Sequence, residues 1–524
     1  MESRVQHIHK KLLSEGVNAT RILGIFGTGG VGKTSLAKAI YNSLIDQFED
    51  SCFLADVRET SKREHGLIRL QETFLHKILK ERSLKVENID DGINLVKENV
   101  FGKRVLLLLD DVDQLFQIEN LLGECDWFGL GSIIIITTRD EHLLTSYNVH
   151  LRYKVKELGH DEALRLFCWN AFKNEKPYHD FVELVEDVLH YAGGLPLALM
   201  VLGSYLCGRD IRYWRSAIEK YKKIPHNDIQ ERLRISYDGL DESEKNIFLD
   251  IACFFTGEQE EYVTKILDAS GFFPGIGFQV LMDKSLITME SGRLVMHDLL
   301  KDMGREIVRQ ESKEPGKRTR LWFHEDVRYV LEEAKGTNEI QGILVELPEQ
   351  DLINLNPKAF LKMTRLRIFI NRNARFSRRL NYLSNELRVL DWHAYPSPSF
   401  PQNFHGKKLI VLKMSESLLK ELGDGVKSFQ NLKAMRFSEY ISVINVVILA
   451  EWIRGFVRLR DLTLNYCKQL KEISEVPPNI EEVDARKSRG PSMLYPYIFG
   501  KLKTPKGYVS EVNVDLLYSD EIKE

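Results

Sequence analysis

Cysteine is scarce in this chain. There are six in 524 residues (Cys52, Cys125, Cys168, Cys207, Cys253 and Cys467), with no CxxC spacing and no nearby histidine to complete a metal set. That excludes a disulfide framework and a zinc framework, and it fits a reducing compartment. Long apolar runs are lacking as well. The longest, VLLLL and IIIITT, are too short to span a bilayer and read as buried strands. Nor does charge of one sign prevail, since 73 Lys and Arg meet 76 Asp and Glu for a net charge of -3. Attraction to nucleic acid or membrane by bulk charge is thereby excluded. The opening MESRVQHIHKK is charged and has no apolar signal-peptide core, so a cytoplasmic location is expected.

What is present is a soluble, folded composition, 43% hydrophobic and 28% charged, on a chain too long for one core. Residues 22–173 alternate apolar runs with stretches of helical periodicity. RILGIFG, CFLADV, RVLLLLDDV and GSIIIITTR read as strands buried on both faces, which predicts a doubly wound parallel sheet over 1–160. From Asp161 the strands stop and 161–227 reads as a helical bundle. Further helices follow over 228–338, and LITMESGRLVM alternates around a Ser-Gly turn, so a winged-helix domain with its linker is expected there.

Beyond Glu339 an apolar-x-x-apolar-x-apolar signature recurs, beginning at Ile340, Leu366, Leu387, Leu409, Leu432, Leu459 and Ile480. A period of this size predicts a leucine-rich repeat solenoid over 339–490. This stretch holds 24 Lys and Arg against 17 Asp and Glu, a local basic excess that reads as a solvated face, with attraction of acidic partners as the alternative. The apolar insert ISVINVVILA (441–450) and the tail 491–524 fit no repeat. The fold class expected is multidomain α/β: P-loop sheet, helical bundle, winged helix, then solenoid.

The chemistry concentrates in a few places. Gly27-Thr28-Gly29-Gly30-Val31-Gly32-Lys33-Thr34 fits G-x-x-x-x-G-K-[ST] between a strand and a helix that continues through Ser35. Glycines let backbone N–H groups wrap a phosphate, and the helix N-terminus adds a favourable field. Lys33 is expected on the β- and γ-phosphates and the Thr34 hydroxyl on Mg²⁺. RVLLLLDDVD ends a buried strand in carboxylates, which makes Asp110 the expected Mg²⁺ partner and Asp111 the candidate for positioning a water. Arg139, closing IIIITTR, is placed either to read a γ-phosphate or to sit on the surface. Pro196 in GGLPLAL lacks an N–H and reads as a helix–helix connection. Asp298 in MHDLL reads as a helix cap, and His297 as a surface neighbour.

In that order GTGGVGKTSLA, LLLLDDVD, GSIIIITTRD, GLPLAL, FLDIACFF and MHDLL, followed by the repeats, resemble plant NB-LRR disease resistance proteins of the TIR subclass, within the STAND switch ATPases. Asp113 closing LDDVD and the FLDIACFF stretch carry the subclass. The resemblance implies an intracellular immune receptor that holds ADP when closed and exchanges it for ATP on opening, with at most slow hydrolysis. It implies that Pro196 packs near the adenine, that His297 contacts the ADP β-phosphate and that Asp298 supports it. A pathogen effector or a guarded host protein, self-assembly on activation and a TIR-bearing partner are the implied partners; a nuclear pool is a second implied location. The TIR domain that would precede the P-loop, and its NAD-cleaving activity, are not expected, because the chain opens within the usual linker.

Besides a TIR-less regulatory partner of a full-length receptor, two other readings compete. A turnover ATPase would be favoured by multiple rounds of hydrolysis, yet no Glu follows Asp110 to polarise a water. A nucleic-acid regulator would use the helix GIGFQVLMDKS, which offers one basic residue, Lys284, where DNA reading needs several polar side chains; DNA binding is therefore not expected.

Overall fold

The computed structural model describes residues 2–14, 19–80, 84–123, 127–223, 225–419, 429–438, 456–465 and 479–484, with short strand segments at 503–504, 507–508 and 511–513. The insert at 441–450 and most of the tail lie outside these, as do Cys125 and Cys467. The chain divides into two compact units: residues 1–248, 276–290 and 295–303 form the first, and 249–275, 291–294 and 304–524 the second. The predicted winged-helix stretch contributes to both.

The first unit is built on a five-stranded sheet of β1 (Arg21–Phe26), β2 (Asp50–Leu54), β3 (Val105–Val112), β4 (Ile133–Thr138) and β5 (Leu151–Lys154), in the order β2-β3-β4-β1-β5. Every pairing is parallel. β3 and β4 are buried almost throughout, as their unbroken apolar runs require. Sequence reading finds four of the five strands. β5, with the sequence LRYK, alternates half-buried and exposed residues at the sheet edge, so no apolar run marks it.

The bundle consists of helices His160–Phe172, Val182–Ala192, Pro196–Leu206 and Ile211–Lys223. Its centre is aromatic: Trp214 stacks on Phe172 and meets Phe167 and Phe181 edge-on. Pro196 does not interrupt a helix. It is the first residue of one, where a missing N–H costs nothing because that N–H would have no intrahelical acceptor. The Ser-Gly turn joins strands Thr288–Glu290 and Arg293–Val295, with positive φ at Ser291 (49°) and Gly292 (75°), as a tight hairpin turn requires.

The second unit begins at Leu249, in the last turn of helix Glu242–Asp250, which runs into a π-helical turn, Ile251–Phe255. The dominant feature is a nine-stranded ladder. Its central strands are Gly342–Val345, Ile368–Asn371, Val389–His393, Val411–Ser415, Ala434–Ser438, Asp461–Asn465 and Glu482–Asp484, all parallel. Each begins two residues into one of the seven repeat signatures. Behind the strands Trp392 packs against Phe369 (ring centroids 4.3 Å apart), Phe376 and Tyr395 in a continuous apolar core.

Candidate functional site

Gly27 to Gly32 turn the chain from the end of β1 into helix Lys33–Leu44. Gly30 has φ 80°, and a Cβ there would lie 2.7 Å from the Leu197 side chain, so both conformation and space demand glycine. Its carbonyl accepts the Leu197 N–H at 3.1 Å. Gly29 faces Arg139, whose Nη1 would stand 2.7 Å from an added Cβ. The Lys33 ammonium is buried and donates to the carbonyls of Gly27 (2.9 Å) and Thr28 (3.0 Å). Burial, and then the charge of Arg139, bring its pKa down to about 7, against the opposing pull of Asp111 and Asp110.

The end of β3 supplies the carboxylates. Asp110 is buried, and its Oδ1 accepts the hydroxyls of Thr34 (2.8 Å) and Thr137 (2.7 Å). Thr137 Oγ1 in turn accepts the Asp111 N–H at 2.8 Å. β3 is irregular here: its register on β4 shifts between Leu109 and Val112, and Asp111 takes φ 57°. That turn sends the two neighbouring carboxylates to different partners. Asp111 Oδ2 lies 2.8 Å from Arg58 Nη2 and its Oδ1 3.5 Å from Arg139 Nε. With a guanidinium at each oxygen, Asp111 is a poor candidate for the water-positioning base expected of it. Arg139 also donates from Nη1 to the Arg232 carbonyl at 2.7 Å. A cleft of about 350 Å³ opens here, its walls including Arg58, Asp111, Thr138, Arg139, Asp140 and Lys284.

On the other side of the loop lies a second cavity of about 340 Å³, largely apolar, lined among others by Val31, Gly32, Ser35, Leu158, Pro196 and Met200. Arg4, from helix Glu2–Ser14, reaches its edge and donates to the carbonyls of Lys156 (2.9 Å) and Glu157 (3.2 Å) while pairing with Glu162. Pro196 thus comes beside the P-loop, its ring 3.9 Å from where a Gly32 Cβ would be.

His297 also reaches this neighbourhood. Its Nδ1 accepts the Leu299 N–H at 3.1 Å, which puts the proton on Nε2 to donate to the Gly193 carbonyl at 3.2 Å. Gly193 has φ 54°, and a Cβ on it would run into the His297 ring. The helix cap expected of Asp298 therefore belongs to His297. Asp298 is the exposed first residue of helix Asp298–Glu311, where its charge complements the helix N-terminus.

The structure thus places Asp111 and Arg139 on the first cleft and Val31, Gly32, Ser35 and Pro196 on the second cavity, both at the strand ends where such folds usually take a ligand, while His297 lines neither and holds Gly193, three residues before Pro196. Sequence reasoning missed Arg58, Arg4, Thr137 and Arg232. Of these only Thr137 carried a signal, as the first residue of the TTR that ends in Arg139. The residues present fit a nucleotide polyphosphate. The turn leaves no room for a side chain at Gly29 or Gly30, the Lys33 ammonium rests on carbonyls of the loop itself, and the buried Arg139 Nε, loosely paired with Asp111, makes no close hydrogen bond among the described residues. The Thr34–Asp110 pair offers hard oxygen donors of the kind that Mg²⁺ takes.

Residues 1–177 match the NB-ARC domain family, and residues 241–312 match the winged-helix domain of Roq1-like disease resistance proteins. Disease resistance protein RUN1 of Vitis rotundifolia is 38% identical over 502 residues, which cover 88% of this chain and 37% of that protein. The disease resistance-like protein DSC1 of Arabidopsis thaliana is 37% identical over 499 residues (90% and 40%), and TMV resistance protein N of Nicotiana glutinosa 36% over 529 residues (95% and 45%). The chain spans less than half the length of each of these relatives.

Proposed function

We propose that this chain, whose residues 1–177 and 241–312 match the NB-ARC and Roq1-like winged-helix families and whose relatives include plant disease resistance proteins, is the nucleotide-operated switch of an intracellular immune receptor. The observation that carries this is the Asp110–Thr34 contact. A buried strand-end carboxylate held 2.8 Å from the P-loop hydroxyl is the arrangement by which a P-loop protein holds Mg²⁺ on a nucleotide. In this reading the site takes ADP or ATP with Mg²⁺. Lys33 meets the β- and γ-phosphates, Arg139 the γ-phosphate, and the apolar cavity beside Pro196 the adenine. The His297 Nε2–H exchanges the Gly193 carbonyl for the β-phosphate, tying the winged-helix segment to the nucleotide.

Holding rather than turnover is favoured by Asp111, whose oxygens face Arg58 and Arg139 rather than a water. Residues 1–160, 161–227 and 228–338 form the switch in this scheme. The parallel ladder over 339–490 is its leucine-rich repeat part, serving recognition of an effector or a guarded host protein, or restraint of the switch. Self-assembly on activation, pairing with a TIR-bearing protein and action in the cytoplasm and nucleus complete it.

The test is Lys33→Ala in the full chain. The parent is expected to purify with bound ADP and the variant without it. The variant also forgoes ligand-linked stabilisation of about 4 kcal/mol at a thousandfold excess of ligand over Kd. Equal nucleotide content in the two proteins, measured after denaturation, rejects the reading.

A further inference from the structure

Asp111 adopts a backbone conformation that a non-glycine residue keeps only when its surroundings hold it there. Its two guanidinium partners hold it unequally. Arg58, on the short helix Val57–Ser61, is buried, and its Nη2 makes the tight contact at 2.8 Å. Arg139 stands off at 3.5 Å: the atom facing Asp111 is its buried Nε, which makes this loose ion pair but no close hydrogen bond among the described residues. Arg58 is therefore the principal counter-charge of Asp111, and Arg139 keeps a donor in reserve.

We propose that Arg58 is a positioning residue for telling a nucleoside triphosphate from a diphosphate: by claiming Asp111, it leaves Arg139 able to turn to a γ-phosphate. This rests on the nucleotide-switch reading above. Remove Arg58, and Asp111 becomes a shielded carboxylate with Arg139 as its nearest remaining cation. An uncompensated charge in such a place is costly, so Asp111 draws Arg139 into a close, forked pair. Arg139 then has to break that pair to reach a phosphate, and the γ-phosphate loses its advantage. The same guanidinium holds the Arg232 carbonyl on helix Asn227–Asp238, so when it turns, the helix is released as well.

A purely structural role for Arg58, anchoring its short helix to β3, would act on both nucleotides alike. The full-length chain, with Mg²⁺ present, is titrated with fluorescent (mant) ADP and with ATPγS. Arg58→Gln is expected to weaken ATPγS binding about tenfold or more, the scale of one charge-assisted hydrogen bond, and to leave the ADP constant within about threefold. Arg58→Lys, which keeps the charge and loses the fork, falls between parent and Gln variant and carries the test if the Gln variant does not fold. Adding Asp111→Asn to Arg58→Gln removes the competitor for Arg139 and is expected to restore most of the ATPγS affinity. Equal weakening of both ligands, an unchanged ratio, or a double variant no better than the single one overturns the assignment. A parent chain that binds neither ligand would instead sink the switch reading itself.

Discussion

The Lys33 ammonium, held on two loop carbonyls and brought down to a pKa of about 7, makes nucleotide binding and protonation a single event. At pH 8 the free protein holds Lys33 mostly neutral. A bound polyphosphate favours the charged form and raises the pKa, so binding takes up a proton. At pH 6 Lys33 is charged in both states and its uptake fades. Calorimetric titration of ADP at pH 8 in buffers of different ionisation enthalpy should show an uptake approaching one proton. Lys33→Arg, charged throughout, should show none in whatever binding remains. No uptake by the parent at pH 8 would contradict this. At this scale the sequence discloses residues that work through a contiguous motif, such as Lys33, Thr34 and Asp110. It is silent on Arg58 and Arg4, lone arginines whose partners at 111 and 162 only the folded chain brings near. His297 shows a subtler limit. An acid beside a helix start looks like a cap, but the backbone at His297 puts the ring nitrogen where the orphan N–H is.

Among elements, the π-helical turn after Asp250 depends on a buried ion cluster. Asp250 is fully buried and accepts from Arg320 Nε (2.7 Å), on the ladder's edge strand Arg320–Leu321, and from Arg367 Nη2 (2.8 Å), just before strand Ile368–Asn371. Burial alone would raise the carboxyl pKa; the two arginines outweigh it and hold it below the ordinary value. Stability from this cluster is therefore present above the usual carboxylate pKa and is lost as pH falls through the lower, folded one. Asp250→Asn leaves two cations buried without their counter-charge and is expected to cost about 3–5 kcal/mol, read by denaturant titration of the parent and the variant at neutral pH. A loss under about 1 kcal/mol would mean that water reaches both arginines. FLDIACFF advertises this turn only as an apolar run with one acid in it, since a carboxylate's partners seventy or more residues away leave no local trace. Strands betray themselves better. β3 and β4 are legible because burial on both faces forces unbroken apolar runs, whereas β5, exposed on alternate residues, is not.

In the molecule as a whole, the ladder is the part whose order is most plainly written, because each strand needs the same few apolar positions to cover the same core. Within the sheet each strand pairs only with the strands beside it among the described residues, so damage to the pairing should stay local. Trp392→Ala, at the centre of the aromatic core, is expected to cost about 3–5 kcal/mol. Hydrogen exchange should then quicken in the strands between Gly342 and Asn465 and stay at parental rates in β1 to β5. Uniform loss of protection over the whole chain would contradict a local response.

The intervals between successive central strands range from 21 to 27 residues, yet the pairing never slips. Ile370, Asp391, Lys413, Arg436, Thr463 and Asp484 stand opposite one another, strand after strand. Length and alignment are thus decoupled: a connecting arc can gain or lose residues while the row of side chains across the strands stays in phase. Such a row works like a line of type, in which one character can be exchanged without resetting the rest. A lineage can therefore rewrite what this face presents one position at a time, and try insertions in the arcs separately.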